Sequence, residues 1–352
     1  MLRYKCSEAF ILDTSTKSQS NILVVGPSWV GDMVMAQSLF MTLQNQNPDC
    51  SIDVLAPAWS RPLLDRMPEV NSAIEMSLGH GEFGFFKRRD LGKSLRANNY
   101  TQAIVLPNSW KSALVPFFAN IPTRTGNLGE MRYGLLNDAR KLDKHALPMT
   151  VQRFCALAYP ANYKEIPTKT PVPKLQVTDK GISNACANHA LYSDDKILVL
   201  CPGAEYGAAK RWPTKYYAQV AKHWLEQGGQ VWLFGSQKDQ TVTAELNAYT
   251  KDKCVDLAGR TSLAEAIDLM SMADFVVSND SGLMHVAASL QRPLIAVYGS
   301  SDPGFTPPLN KQAHILNLGL DCSPCFKREC PLGHLDCLNN LDPSKVLEIL
   351  EA

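Results

Sequence analysis

The chain has 352 residues, more than one ordinary hydrophobic core accommodates, so two domains are expected. Hydrophobic residues make up 45% and charged residues 20%, which excludes a disordered or fibrous chain and points to a soluble globular one. A formal net charge of +1 argues against nucleic acid as a partner.

Residues 1–20 contain Lys5, Glu8, Asp13 and Lys17 and read as an extension without the apolar run of a signal peptide. No stretch approaches the roughly 18 apolar residues of a membrane span. A cytoplasmic location follows as the expectation, with the ten cysteines reduced. Strands are predicted over 22–25, 51–55 and 103–106, and helices over 32–43, 110–118 and 148–159, the last with Pro148 in its first turn. Pro160, Pro167, Pro171 and Pro173 mark a stiff link. The alternation then restarts. Strands are predicted over 197–200, 231–234, 275–277 and 294–297. Helices are predicted over 214–227, from about 239, over 262–272 behind the capping box Ser262-Leu263-Ala264-Glu265, over 282–290, and over 342–350. This layout divides the chain into an extension (1–20), a first domain (21–172), a second domain (173–340) and a C-terminal helix (341–352). Strand-helix alternation on both sides of a link predicts two parallel-sheet α/β domains, whose ligands bind where strands end.

Four strand ends carry chemistry. In Ser278-Asn279-Asp280-Ser281-Gly282-Leu283-Met284-His285 a buried strand gives way to a helix near Gly282. Free N–H groups and a helix dipole there suit a phosphate, and Asp280 can accept bonds from neighbouring hydroxyls. Val25-Gly26-Pro27-Ser28-Trp29-Val30-Gly31-Asp32 matches neither the dinucleotide nor the P-loop spacing. It sets Asp32 at a helix start, as a helix cap or as a general base. Cys201 to Pro213 is a loop of small residues ending in Lys210 and Arg211. Those cations read as surface charge or as partners of a diphosphate. Gly235 to Asp239 stands where a ribose would be read.

Together these segments resemble the ADP-heptose:lipopolysaccharide heptosyltransferases of glycosyltransferase family 9, the heptosyltransferase II branch most of all. The resemblance is carried by Gly26-Pro27-Ser28-Trp29-Val30-Gly31-Asp32-Met33, Ala56-Pro57-Ala58-Trp59, Leu78-Gly79-His80-Gly81, Gly129-Glu130-Met131-Arg132-Tyr133-Gly134, Cys201-Pro202-Gly203-Ala204-Glu205, Lys210-Arg211-Trp212-Pro213 and Asn279-Asp280-Ser281-Gly282-Leu283-Met284-His285. It implies a GT-B fold, two Rossmann-like domains with parallel sheets facing an interdomain cleft. It also implies inverting transfer of L-glycero-D-manno-heptose from ADP-heptose to the first heptose of the lipopolysaccharide inner core. By position in the matched motifs, Asp32 is implied as the base and Lys210 as the partner of the leaving diphosphate. Asp280, Ser281, Gly282 and His285 are implied as the donor pocket, with Asp239 as the looser match for the ribose acid. No Asp-x-Asp occurs in the chain, so metal-independent turnover is expected.

Residues 81–144 hold eleven Lys and Arg against five Asp and Glu, a local +6. That excess fits a face for an acidic glycolipid at the inner face of the inner membrane. Lys87, Arg88, Arg89, Lys111 and Arg132 are its expected acceptor contacts, although a solvated face would read the same. Cys322, Cys325, Cys330 and Cys337, with His334 as a substitute ligand, spell either a structural zinc site or a metal-free loop. Four alternatives stay open: a heptosyltransferase with another acceptor, a GT-B nucleotide-sugar epimerase, a zinc-dependent interaction protein and a dehydrogenase. The last lacks its glycine-rich turn.

Overall fold

The computed structural model describes residues 20–78, 82–162, 169–191 and 195–352. Residues 1–19 with Cys6, residues 79–81 of the 78–81 motif, and Pro167 lie outside the described residues.

The first sheet contains β1 (Asn21–Val25), β2 (Ser51–Ala56), β3 (Ser72–Glu75), β4 (Gln102–Val105), β5 (Thr123–Asn127) and β6 (Asp138–Arg140). Their order is β3-β2-β1-β4-β5-β6, every pair parallel. The second sheet contains β7 (Ile197–Cys201), β8 (Gln230–Leu233), β9 (Val255–Asp256), β10 (Phe275–Asn279), β11 (Leu294–Val297) and β12 (Ala313–Leu316), ordered β12-β11-β10-β7-β8-β9. Counted within its own domain, each sheet has the Rossmann order 3-2-1-4-5-6. The chain therefore has the expected GT-B architecture. Central strands such as β7 are buried along their whole length because helices cover both faces.

The first sheet carries α1 (Val30–Gln46), α2 (Arg61–Leu64), α3 (Phe85–Ser94), α4 (Leu114–Phe118) and α5 (Thr150–Cys155). The second carries α6 (Asp179–Asn188), α7 (Thr214–Glu226), α8 (Gln240–Tyr249), α9 (Leu263–Met270), α10 (Gly282–Ser289), α11 (Asp336–Asn339) and α12 (Ser344–Glu351). Pro148 precedes α5 instead of opening it. Met149 is the N-cap, and its N–H donates to Gln152 Oε1 at 3.0 Å. Among the described residues no helix is long and apolar enough to cross a membrane.

One apolar cluster runs through both domains, from Val24, Met33 and Phe40 to Met284, Val286 and Tyr298, because α1 packs on α10. Polar ties reinforce that junction. Arg66 forks onto Asp268 at 2.6 and 2.7 Å, joining the end of α2 to α9. The link docks on α1, where Gln37 bonds both Lys174 O and Lys174 N–H, and Ser38 Oγ donates to Pro171 O. The ends of β1, β7 and β10 consequently face a common cleft. Each lies at a point where its sheet reverses strand order, the usual place for a ligand.

Candidate active site

Asp32 reaches the cleft because β1 passes into α1 through a very tight turn. Gly26 N–H donates to Leu55 O at 2.9 Å, and a methyl on Gly26 would stand 2.8 Å from Met33 Cε. The N-cap of α1 is Trp29, in extended conformation and without a side-chain capping bond. Asp32 is therefore not the cap. It sits in the first turn and lines the cleft. Burial pushes its carboxyl up to about 6, with Lys210 opposing and Asp280 adding to the rise. A carboxylate tuned to that range suits a general base at neutral pH.

The second domain supplies the opposite wall. Asn279, fully buried at the end of β10, accepts from Trp212 N–H and the Tyr217 hydroxyl, both at 3.0 Å. Its amide donates to Pro202 O at 2.6 Å. One side chain thus staples the 201–213 loop to β10, bringing Lys210 into an ion pair with buried Asp280. The Tyr206 ring lies 5.1 Å from Lys210 Nζ, and its hydroxyl donates to Phe326 O at 2.9 Å. Ser281 caps α10, its Oγ accepting from Met284 N–H at 3.3 Å. The first amides of that helix lack intrahelical partners, and Gly282 lines the cleft. His285 is buried, and burial pulls its ring down to about 4, so it is neutral wherever Asp32 is ionised. Asp239 accepts from Ser236 N–H and Oγ at 2.9 and 2.8 Å and abuts Gly203.

Asp32, Lys210, Asp239, Asp280, Ser281, Gly282 and His285 all line one cavity of about 760 Å³ between the domains. That volume suits a nucleotide sugar. Arg211 is not among its lining residues. Sequence reasoning missed the walls: Trp29 and Trp59 from the first domain, and Ser301, Phe305 and Phe326 from the second. Ser301 lies four residues beyond the end of buried β11, so the strand-end rule could have found it. Phe305 and Phe326 come from long loops and left no such signal.

The basic face needs correction. Arg88 is buried, its guanidinium spent on Phe83 O at 2.8 Å and Glu82 O at 3.4 Å. Arg132 is fully buried, bonded to Pro107 O, Ser112 Oγ and Asn127 O, where it ties two loops together. Neither head is available to a ligand. Lys87 and Arg89 remain at the surface, paired with Glu82 and Asp90. Lys111 Nζ donates to Glu82 O at 3.3 Å. None of the five lines the cleft.

The cysteine segment reads from its spacing as either a structural zinc site or a metal-free loop. Among the described residues no three His, Cys, Asp or Glu side chains converge on a metal position. Cys337 is buried in the core at α11, Cys322 is exposed, and the Cys330 sulfur is held by backbone N–H groups of 332–335. The segment also walls the cleft through Phe326, and Arg328 O accepts from Ala209 N–H at 3.0 Å. The nine described cysteines are all free.

The model of glycosyltransferase family 9 (heptosyltransferase) matches residues 88–336. Lipopolysaccharide heptosyltransferase 2 of Salmonella typhimurium is 51% identical over 339 residues, covering 94% of this chain and 97% of that one. The chain belongs to glycosyltransferase family 9. It is accordingly a glycosyltransferase. The solved structure of Escherichia coli ADP-heptose lps heptosyltransferase II superposes on this family 9 chain with a TM-score of 0.85 at 49% identity, covering 94% and 97% of the two chains. A family 9 structure from Veillonella parvula reaches 0.84 at 18% identity, covering 95% and 98%, a likeness of fold.

Proposed function

We propose that this enzyme transfers L-glycero-D-manno-heptose from ADP-heptose to the first heptose of the lipopolysaccharide inner core, with inversion. The observation that carries the reading is Asp32 of one domain facing the Lys210–Asp280 pair of the other across a nucleotide-sugar-sized cleft. The names of the half-identical relatives support the donor sugar and the acceptor class.

In this scheme the acceptor hydroxyl attacks the anomeric carbon in line while the bond from that carbon to the diphosphate oxygen breaks. Asp32 takes the hydroxyl proton. Asp280 holds donor hydroxyls, and Asp239 is assigned to the ribose. ADP departs carrying the electron pair. Lys210 and the first amides of α10 stabilise that charge, fixed groups that need no reorganisation. These groups supply the charge that a divalent ion would otherwise carry, so turnover is metal-independent in this scheme. The test is ADP release from ADP-heptose with and without heptosylated acceptor, each with and without EDTA. Acceptor-dependent release that EDTA leaves unchanged is expected. Release without acceptor points to an epimerase or hydrolase, and restoration by Mg²⁺ after EDTA loss overturns the metal-independent scheme.

We also assign the first domain to peripheral contact with the inner face of the inner membrane, in a cytoplasmic enzyme. Phe83, Phe86 and Phe117 are 51%, 66% and 40% exposed, amid Lys87, Arg89 and Lys111. Aromatic rings set among cations are what an anionic interface holds. Replacing Lys87 and Arg89 together by Ser should weaken co-sedimentation with anionic vesicles several-fold and raise acceptor KM. Unchanged values for both measurements would remove this assignment.

A further inference from the structure

Two glycines sit where the two domains pack against each other. Helix α1 comes from the first domain and α10 from the second, and their first turns meet beside the cleft. A methyl on Gly31 would stand 2.6 Å from Cδ2 and 3.2 Å from Nε2 of His285. A methyl on Gly282 would stand 2.8 Å from Cβ and 3.1 Å from Cγ1 of Val30. Carbon atoms pack at about 3.5–4.0 Å, so both approaches are repulsive. The neighbours cannot yield: His285 is a buried ring, and Val30 Cβ is fixed to its backbone. Neither glycine has a positive φ, so backbone freedom does not explain them. What their missing side chains allow is contact between the helices.

We propose that Gly31 and Gly282 are positioning residues that set the gap between the domains and so hold Asp32 against the Lys210–Asp280 wall. The inference rests on the transferase reading with Asp32 as base. Gly31 adjoins Asp32, and Gly282 lies two residues beyond Asp280. A methyl at either glycine must part the helices by roughly 1 Å to restore ordinary contact. The Arg66–Asp268 fork still joins the domains at a separate point, so the seam opens as a wedge and the domains stay attached. A misplacement of about 1 Å between reacting groups costs on the order of 10²-fold in rate. The opening also lessens the enclosure of Asp32, whose carboxyl is lifted by burial.

The experiment compares Gly31→Ala and Gly282→Ala with the parent enzyme by acceptor-dependent ADP release across pH. A kcat loss of about 10²-fold is expected, with donor KM within about 3-fold and the acidic limb moved to lower pH. Moving the crowding atoms supplies the second arm. Val30→Gly combined with Gly282→Ala clears the methyl's space and should recover at least about tenfold of the kcat lost by Gly282→Ala alone. A methyl that merely struck the donor would not be rescued this way. Gly229→Ala, which crowds Trp224 away from the cleft, should lower Tm without moving the pH midpoint. Parental kcat in both alanine variants overturns the proposal, as does activity lost only in step with Tm, or a double variant no better than Gly282→Ala. If Gly31→Ala does not fold, the Val30–Gly282 pair decides. An inactive Asp32→Asn enzyme beside fully active seam variants sinks the glycine roles alone, whereas a fully active Asp32→Asn sinks the transferase reading with them.

Discussion

An Asp32→Asn enzyme should bind donor within a few-fold of the parent and lose about 10²–10⁴-fold in kcat, the range general-base help supplies. Asn keeps the shape of the side chain and removes its capacity to take a proton. The pH dependence carries the same assignment. The base works only when ionised, and burial holds its carboxyl up at about 6. Parent kcat/KM should therefore fall as pH drops through about 6, and the residual activity of the Asn variant should lack that limb. Stability should move in the opposite sense. A carboxyl raised on folding costs stability where it is ionised and nothing where it is protonated in both states. Asp32→Asn should accordingly stabilise the fold by on the order of 3 kcal/mol above pH 6, with the gain vanishing between about pH 6 and 4. Denaturant titrations at pH 7.5 and pH 4 check this. An Asn variant with parental kcat, or one whose activity loss tracks a loss of stability, would remove Asp32 from the mechanism.

How far such residues are visible in the sequence depends on what surrounds each one. The central strands β1, β2, β4, β7, β8, β10 and β11 lie within a residue or two of the expected positions. Strands buried on both faces read as continuous apolar runs. The outer strands β3, β5, β6, β9 and β12 left no such run. Ser72–Glu75 and Thr123–Asn127 are polar, half-exposed segments that become strands only because a neighbouring strand offers its edge. The cleft groups were legible for the same reason as the central strands, since each follows one of them and strand ends converge in this topology. Arg88 and Arg132 mark where that reasoning stops. An arginine's letter does not reveal whether its guanidinium meets water or a set of loop carbonyls. Arg132 is buried because the turns around Pro107 and Asn127 present oxygens to one point. The cysteine spacing brings thiols near one another without fixing what they hold: Cys337 is drawn into the apolar core with Leu338 and Leu341, and burial, then the charges of Cys322, Cys325 and Cys330, push its thiol up.

Lys210→Met should lower kcat by about 10²–10³-fold, the loss typical of removing one preorganised group from developing negative charge. Two further consequences separate that role from simple structural support. First, Lys210 favours the ionised form of Asp32, so without it the acidic limb of the rate profile should move above about 6. Second, removing one member of a buried pair leaves Asp280 enclosed and uncompensated, which costs about 3–5 kcal/mol. Neutralising both partners removes that penalty. Lys210→Met with Asp280→Asn should therefore recover most of the stability lost by Lys210→Met alone, yet remain at least as inactive, because both donor-facing groups are then missing. Thermal melts and ADP-release rates on the parent, two single variants and the double variant close the cycle. If activity returned together with stability in the double variant, Lys210 and Asp280 would be a structural pair and the charge on the leaving diphosphate would be met elsewhere. If stability returns alone, the pair holds a charge in place for a ligand, and Lys210 spends part of each turnover bound to phosphate instead of to Asp280.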